Sequence, residues 1–549
     1  MLFKSFNKRI FITLLAAGIF YGLSYPPVNF YFLIFFSFII IIDLSLNSKS
    51  LKLIFFNSCF AFFIACLVAV SWISLSGLSE GADPFLILGG LFVLIVYPLF
   101  FVIPVIVFFY VCKNFRHVKS KIYLFSFPFI WTAAEYALSL GQISFPWLFA
   151  GNSQSFNLEK IQFAEITGVF GVSFWICLIS VFLYLLLSNI KNRIWKITSF
   201  KTGISVIAIL ILYFLPDLYS FFSISNEKYS GNKFGREINI GIIQPNINPW
   251  KKWGGKQSDL ISKYTEDIKN IYDSNHNLDL IILPETALPY YFRENVFEDN
   301  YMMLKNTCDS LKTPLLIGTP DLSFYKDDDA PPDAKIMKLS GRKYDTFNSA
   351  FLFEPGKDKN SFQKHYKIKL VIGSERMPYQ ELLPFTKNLV EWGVGLSSWQ
   401  LGNDTNIFVL KDGSKFNTAI CYESVYPGFF ADFVKKGAGF SVIITNDGWW
   451  GKLFGTYQHN RFAVFRAVEN RRWIARCANT GISCFIDAYG NYYDETLIDE
   501  QKSIASGIGY NEEQTFYTIN GDAFSIACLI IGSAVFLISF IIKMTISRD

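Results

Sequence analysis

The sequence has few of the residues that usually hold metals or cross-link small domains. Only four histidines occur in 549 residues, and none has the spacing of a metal site. Nine cysteines are present, but their spacing fits neither a zinc site nor a dense disulfide framework. Charged residues make up only 17% of the chain, and no internal repeat is visible. A metalloprotein, a disulfide-rich domain and a repeat protein are therefore all disfavoured.

Apolar residues are abundant and unevenly distributed. The chain is 51% hydrophobic, contains 58 Phe and has a mean hydropathy of +0.30. Residues 1–222 and 521–549 are dominated by Phe, Ile, Leu and Val, whereas residues 223–520 have mixed polarity. We interpret this as N-terminal transmembrane helices, a large non-membrane domain, and a C-terminal transmembrane helix with a short tail.

Eight apolar segments are candidate membrane spans. They are Ile10–Leu23, Phe30–Leu46, Leu53–Leu75, Phe85–Val111, Ile122–Leu140, Ile166–Leu187, Gly203–Leu218 and Phe524–Ile542. The first two are shorter than the roughly 20 residues that a span needs. They form either a tight helical pair or one broken helix, so we expect seven or eight spans.

The basic residues predict an orientation. Lys and Arg are concentrated in the N-terminal tail and in the loops at 47–52, 112–121 and 189–201. The alternate loops at 76–84 and 141–164 contain only one cation, Lys160. Cytoplasmic loops are enriched in Lys and Arg, so residues 223–520 should lie outside the cytoplasm. The net charge of +5 reflects this bias and does not indicate nucleic-acid binding.

The central domain shows strands alternating with helical stretches, which is typical of an α/β fold. Buried or alternating strands are predicted at 237–247, 278–286, 313–321, 344–356 and 440–450. Hairpins are predicted at 406–423 and 473–495. Apolar residues at helical spacing predict a helix at 457–473.

Three residues that could form a nucleophilic site follow strand-like runs. Glu285 follows "LIILP", Lys367 lies in "HYKIKLV", and Cys421 follows "NTAI". A thiol needs a base to become a nucleophile, and a carboxylate can supply it. A nearby ammonium favours the thiolate and stabilises an oxyanion. From spacing alone, Glu285 could instead cap a helix, Lys367 could be a surface cation and Cys421 a small core residue.

Ordered motifs make the sequence resemble the nitrilase, or carbon–nitrogen hydrolase, superfamily. These are "LPETALP", "YKIKLVIGSERMPY", "ICYES" and "TNDGWWG…QH…RAVENRRWIARCANTG". The flanking spans and "FPWLFAGNSQ" (145–154) resemble its membrane branch, the apolipoprotein N-acyltransferase family. The resemblance covers nearly the whole chain.

The resemblance implies a four-layer αββα sandwich outside the cytoplasm, joined to the multi-span helical membrane domain. It implies Glu285 as general base, Lys367 as catalytic lysine and Cys421 as nucleophile. Supporting or substrate-binding roles would fall on Glu375, Tyr422, Glu423 and Trp253. The lysine motif departs from the family pattern, because Ile-Gly-Ser replaces Pro-Phe-Gly in "KIKLVIGSE". Lys364 and Lys369 are therefore competing candidates for the lysine role.

The implied reaction is acyl transfer from a membrane phospholipid, through a cysteine thioester, to the α-amine of a diacylglyceryl-cysteine apolipoprotein. It needs no metal or diffusible cofactor, and we expect a monomer in the bacterial inner membrane with its catalytic domain on the periplasmic side. One alternative is a membrane-tethered amidase or nitrilase that hydrolyses a small C–N substrate. Another is a transporter or scaffold with an inactive enzyme domain.

Overall fold

The computed structural model describes residues 8–546, except 84, 117, 119, 195, 226–235, 276, 327–328 and 383–398. Its N-terminal part is helical. The helices are α1 (Lys8–Leu23), α2 (Leu33–Asn47), α3 (Leu51–Ala69), α4 (Trp72–Ser76), α5 (Phe85–Asn114), α6 (Ser126–Leu138), α7 (Leu158–Ile161), α8 (Ala164–Lys191) and α9 (Phe200–Ser225).

Every predicted span contains a helix, but the lengths differ from the apolar runs. The first two segments are separate helices of 16 and 15 residues. The third is divided into α3 and the short α4, and the fifth is a 3₁₀ turn followed by the 13-residue α6. Within the described residues, five helices are long and apolar enough to cross a membrane: α3, α5, α8, α9 and the C-terminal α15 (Ala523–Ile546).

Small residues let the membrane helices approach closely. Gly18 and Gly22 are four residues apart on α1 and face α3. A Cβ added at Gly18 would lie 2.4 Å from the carbonyl oxygen of Ala61. Membrane helices associate through such close packing rather than through a hydrophobic driving force. The spacing of these glycines therefore positions α1 against α3.

The central domain contains two β-sheets. The first has the order β13-β1-β2-β3-β5-β4, with β6 also paired to β5, and the second has the order β12-β11-β10-β9-β8-β7. The first-sheet strands are β1 (Glu237–Gln244), β2 (Leu280–Ile282), β3 (Leu315–Phe324), β4 (Lys335–Ile336), β5 (Lys343–Phe353), β6 (Gln363–Tyr366) and β13 (Lys502–Gly509). The second-sheet strands are β7 (Ile407–Val409), β8 (Lys415–Ile420), β9 (Phe440–Thr445), β10 (Ile474–Ala478), β11 (Cys484–Ile486) and β12 (Tyr492–Tyr493).

The helices of this domain cover the outer faces of the two sheets. They are α10 (Gln257–Ser274), α11 (Glu298–Leu311), α12 (Pro427–Lys435), α13 (Phe454–Asn470) and α14 (Phe516–Asn520). Alternate residues of β1 point to opposite faces of the sheet and so belong to different layers. Ile240 and Ile242 belong to the core between the sheets, whereas Ile243 packs with Ile261 and Ile268 of α10. This period of two produces the predicted αββα sandwich.

The second sheet has the same division. Ile420 and Ile444 face the first sheet, whereas Ala419 and Ile443 pack with Phe430 of α12. The predicted strands at 237–247, 313–321, 344–356 and 440–450 are present, as are both hairpins and the helix near 457–473. The strand predicted at 278–286 is short and ends at Ile282.

Candidate active site

The three predicted catalytic residues all follow strand ends. Glu285 lies three residues after β2, Lys367 directly follows β6, and Cys421 directly follows β8. Two strands belong to the first sheet and one to the second, so the residues meet between the sheets. All three are buried, with exposed fractions of 5%, 1% and 5%. A polar cluster this well enclosed needs internal hydrogen bonds to offset its desolvation.

Lys367 is held between two carboxylates. Its Nζ donates to Glu285 Oε1 at 3.0 Å and to Glu375 Oε1 at 2.9 Å. Burial alone would lower the pKa of Lys367, but the charges of Glu285 and Glu375 outweigh it and raise that pKa. Asn348, on β5, donates from Nδ2 to the same two oxygens at 2.7 and 3.0 Å. The ammonium therefore stays charged, in a fixed position.

The surroundings of Cys421 favour the protonated thiol by raising its pKa. Burial raises its pKa, the nearby Glu285 charge raises it further, and Lys367 acts in the opposite direction. A buried thiol of this kind needs a base to become a nucleophile. Cys421 also has a φ of 52°, which is uncommon for a residue with a side chain and often marks a functional turn.

Glu423 ties the nucleophile turn to the lysine segment. Its Oε1 accepts from the backbone N–H of Ile368 at 2.6 Å, and its Oε2 accepts from the N–H of Ile420 at 2.8 Å. His365 Nε2 lies 3.1 Å from the same Oε2. Glu423 is fully buried. Its hydrogen bonds to both segments fix the distance between the Cys421 turn and the Lys367 segment.

Tyr422 and Trp253 lie at different borders of the site. The Tyr422 hydroxyl donates to the Ser144 carbonyl at 3.0 Å, which joins the nucleophile turn to the loop between α6 and α7. Trp253 lies in the turn after β1, and among the residues that the structure describes its buried indole N–H has no hydrogen-bond partner. Its neighbour Lys252 donates to Thr286 Oγ1 at 3.1 Å, beside Glu285. Trp253 is thus placed near the site by the turn that it shares with Lys252.

A buried ionic cluster lies against the Cys421 turn. His459 Nε2 lies 3.1 Å from the Cys421 carbonyl oxygen, and its Nδ1 lies 2.8 Å from Asp447 Oδ1. Arg476 donates to Asp447 Oδ2 at 2.7 Å. Arg476 and His459 together hold the pKa of Asp447 well below its ordinary value despite its burial. Asp447 thus orients His459.

Cys421, Asp447 and His459 have ligand atoms within 4.8 Å of one another, so their suitability for a metal must be considered. Cysteine, histidine and aspartate are ligands that Zn²⁺ accepts. The Arg476 guanidinium, however, already neutralises Asp447, and His459 also bonds the Cys421 carbonyl. A divalent cation there would lie beside a fixed positive charge, so this donor set does not fit a metal.

Gln458 connects the catalytic domain to the membrane helices. Its Oε1 accepts from the indole N–H groups of Trp72 and Trp147 at 3.0 and 2.6 Å. Its Nε2 donates to the carbonyl oxygens of Pro26 and Ala69, both at 2.9 Å. All four hydrogen-bonding positions of the amide are occupied, which fixes its orientation. Gln458 directly precedes His459, so the same turn of α13 contacts both the membrane region and the Cys421 turn.

Several of these residues were not predicted from the sequence. They are Asn348, His365, Arg476 and Gln458. The quoted motifs include three of them without assigning a role. Asn348 lies in a predicted strand, where a polar residue amid apolar neighbours at 344–356 was the available signal.

Comparisons with known proteins agree with this architecture. Residues 17–182 match the profile described as "Apolipoprotein N-acyltransferase N-terminal domain", and residues 239–518 match "Carbon-nitrogen hydrolase". A protein named apolipoprotein N-acyltransferase from Chlorobaculum tepidum is 32% identical over 98% of this chain and 97% of its own length. The chain belongs to the apolipoprotein N-acyltransferase family.

Two further matches cover a smaller share of this chain. A Geobacter metallireducens protein of the same name is 32% identical over 75% of this chain and 73% of its own. Among solved structures, Nit3 from Saccharomyces cerevisiae, a nitrilase-superfamily member, has a TM-score of 0.36 at 15% identity. That match covers 52% of this chain and 93% of Nit3. The family predicted from the motifs is therefore confirmed by the near-full-length relative.

Proposed function

We propose that this protein transfers an acyl chain from a membrane phospholipid to the N-terminal amine of a diacylglyceryl-cysteine apolipoprotein, and so acts in lipoprotein maturation. The observation that supports this most directly is the Lys367 ammonium, held by Glu285 and Glu375 beside the buried Cys421. This is the arrangement that nucleophilic acyl transfer needs, in a membrane protein of the N-acyltransferase family.

In the first half-reaction Glu285 accepts the thiol proton and Cys421 Sγ attacks the ester carbonyl carbon. The oxyanion is stabilised by Lys367 and by the backbone N–H of Tyr422. Collapse breaks the C–O bond, and the proton moves from Glu285 to the departing lysophospholipid alkoxide. The acyl chain remains on Cys421 as a thioester.

In the second half-reaction the lipoprotein α-amine attacks the thioester. Glu285 accepts a proton from the amine, an amide C–N bond forms and the C–S bond breaks. The thiolate then recovers a proton and the enzyme returns to its resting state. No step needs a metal or a diffusible cofactor.

The supporting residues have distinct tasks in this mechanism. Glu375 holds Lys367, Glu423 holds the Cys421 turn against the lysine segment, and Tyr422 anchors that turn to the loop at Ser144. Trp253 is proposed to line the site next to Glu285, where its unpaired indole N–H can meet a substrate.

The location of the enzyme is also part of the proposal. We propose a monomer in the bacterial inner membrane, with residues 1–222 forming the N-terminal transmembrane helices and residues 521–549 a C-terminal transmembrane helix and cytoplasmic tail. Residues 223–520 then form the catalytic domain on the periplasmic side, as the alternating basic loops indicate. Both substrates reach this domain from the bilayer.

The test is intact-mass spectrometry of the purified protein with phospholipid, followed by addition of a diacylglyceryl lipopeptide. Wild type should gain an acyl chain on Cys421 and lose it to the lipopeptide amine, whereas Cys421→Ala should do neither. Cys308→Ala, which removes a buried thiol elsewhere, is the matched control and should retain activity. Release of free fatty acid without lipopeptide acylation would instead support the amidase alternative, which the match to the family's N-terminal domain does not favour.

A further inference from the structure

A cavity of about 260 Å³ lies between the membrane region and the catalytic lysine segment. One wall is formed by Gln142 and Ser144, in the loop after α6. The opposite wall contains Ile368, Lys369 and neighbouring residues of the segment that follows β6. Tyr426 also lines it. The cavity thus lies where a bilayer-derived molecule would meet the catalytic domain.

The lining of this cavity is positively charged. Its charged residues are Lys369 and Arg376, and no carboxylate is among them. Arg376 is already paired with Asp333 at 2.5 Å. In the part of the chain that the structure describes, Lys369 has no ion pair, and its Nζ stands 5.0 Å from the ring centre of Tyr426.

The environment of Lys369 favours an anionic partner. The side chain is only partly exposed, and burial lowers the pKa of its ammonium. Glu423 and Asp432 act on this ammonium from a distance, but neither forms a direct ion pair with it among the described residues, so an anion in the cavity would still offset part of the cost of its burial. The aromatic contact with Tyr426 holds the ammonium at the cavity wall without neutralising it.

Hydrogen bonds connect the walls of this cavity to the nucleophile turn. The hydroxyl groups of Tyr422 and Tyr426 both donate to the Ser144 carbonyl at 3.0 Å, and Tyr422 directly follows Cys421. Ile368, in the cavity wall, directly follows Lys367 and is tied to Glu423. An anion near Lys369 and an acyl ester near Cys421 can therefore belong to one molecule.

We propose that Lys369 binds the phosphate of the phospholipid acyl donor in this cavity, and so makes the acylation step selective for phosphate-bearing lipids. The inference rests on the proposed function. In a glycerophospholipid the phosphate is separated from the acyl esters by only the glycerol carbons. Binding the phosphate at Lys369 would place an ester carbonyl toward Cys421.

The test compares two acyl donors in the full-length protein. One is phosphatidylethanolamine in mixed micelles, and the other is p-nitrophenyl palmitate, which has an ester but no phosphate. Thioester formation on Cys421 is measured by intact mass for wild type, Lys369→Met and Lys369→Arg. The matched control is Lys364→Met, because Lys364 is also partly buried but already contacts Asp321 at 3.4 Å.

Lys369→Met should raise the KM for phosphatidylethanolamine roughly tenfold to a hundredfold, as expected for loss of one charge-assisted contact. The maximal acylation rate and the reaction with p-nitrophenyl palmitate should stay within about twofold of wild type. Lys369→Arg should recover most of the affinity, and Lys364→Met should resemble wild type.

Three results would overturn the inference. An unchanged KM in Lys369→Met would remove the phosphate contact, and equal loss with both donors would show a general structural effect. Absence of a phospholipid-derived thioester in wild type would overturn the proposed function as well, which distinguishes that failure from the first two.

Competition with inorganic phosphate distinguishes two possible sources of the bound anion. Competition with phosphatidylethanolamine in wild type, lost in Lys369→Met, would support a site that also accepts free phosphate. Lack of competition, together with the raised KM in Lys369→Met, would support a site that needs the whole lipid headgroup.

Discussion

The two carboxylates that share Lys367 provide a direct test of the catalytic assignment. Glu285 and Glu375 contact the same ammonium at 3.0 and 2.9 Å. Their positions alone therefore do not show which carboxylate is the general base. The proposed mechanism gives them different tasks, because only Glu285 exchanges protons with the thiol and the amine. Replacing each by Gln preserves the shape and removes one charge.

The size of each effect follows from the contacts. At these distances and an effective dielectric constant of 20, each carboxylate attracts the ammonium by roughly 5–6 kcal/mol before desolvation is counted. In Glu375→Gln, Lys367 keeps Glu285 and remains charged, so acylation should slow by roughly 10–10². In Glu285→Gln the proton acceptor is lost, and loss of a general base typically costs about 10²–10⁴ in rate.

The assay is a time course of thioester formation on Cys421 with phospholipid alone, read by intact mass. Glu354→Gln is the matched control, since it removes a carboxylate of the same domain that pairs with Lys357 outside the site. Its rate should equal that of wild type. Normal acylation in Glu285→Gln, or a larger loss in Glu375→Gln, would show that the roles of the two carboxylates are reversed.

Three further predictions concern orientation, domain coupling and pH. In a Cys59→Ser background, a membrane-impermeant thiol reagent should label Lys326→Cys but not Arg116→Cys from the periplasmic side; the opposite pattern would invert the topology. Gln458→Leu leaves two indole N–H groups and two carbonyl groups unpaired, so its Tm should fall and acylation should slow, whereas an unchanged Tm would contradict the coupling role. Burial lowers the pKa of Lys252 to about 7, below its unfolded value, so wild-type stability should increase as pH rises above about 7. Lys252→Met should reduce that increase when the free energy of unfolding is measured against pH. An unchanged pH dependence would show that other groups cause it.

The strand ends of the catalytic domain were predictable because their sequence signals are local. An apolar run followed by a polar residue identifies a buried strand and its tip, and this placed Glu285 shortly after β2 and Cys421 directly after β8. The alternation of apolar residues at 237–247 likewise predicted a strand there. These features depend on the neighbouring residues alone.

Features that depend on contacts distant in sequence were not predictable. Gln458 bonds residues up to 432 positions away, and nothing in its local sequence indicates which carbonyl groups it will meet. The predicted span Leu53–Leu75 likewise divides at Val70 and Ser71 into α3 and α4, a break that its apolar composition does not indicate. Lys369 was considered as a rival catalytic lysine, whereas the structure places it in the cavity beside the membrane region.

Burial of the site offers a physical reason for transfer to an amine rather than to water. A thioester on Cys421 would be hydrolysed if water reached it freely, as an amidase requires. Here the nucleophile is 5% exposed, and Tyr422 and Tyr426 both bind the Ser144 carbonyl of a loop from the membrane region. Excluding water suppresses such side reactions and strengthens the electrostatic contact with Lys367. The membrane helices therefore position the loop that would separate a thioester on Cys421 from bulk water.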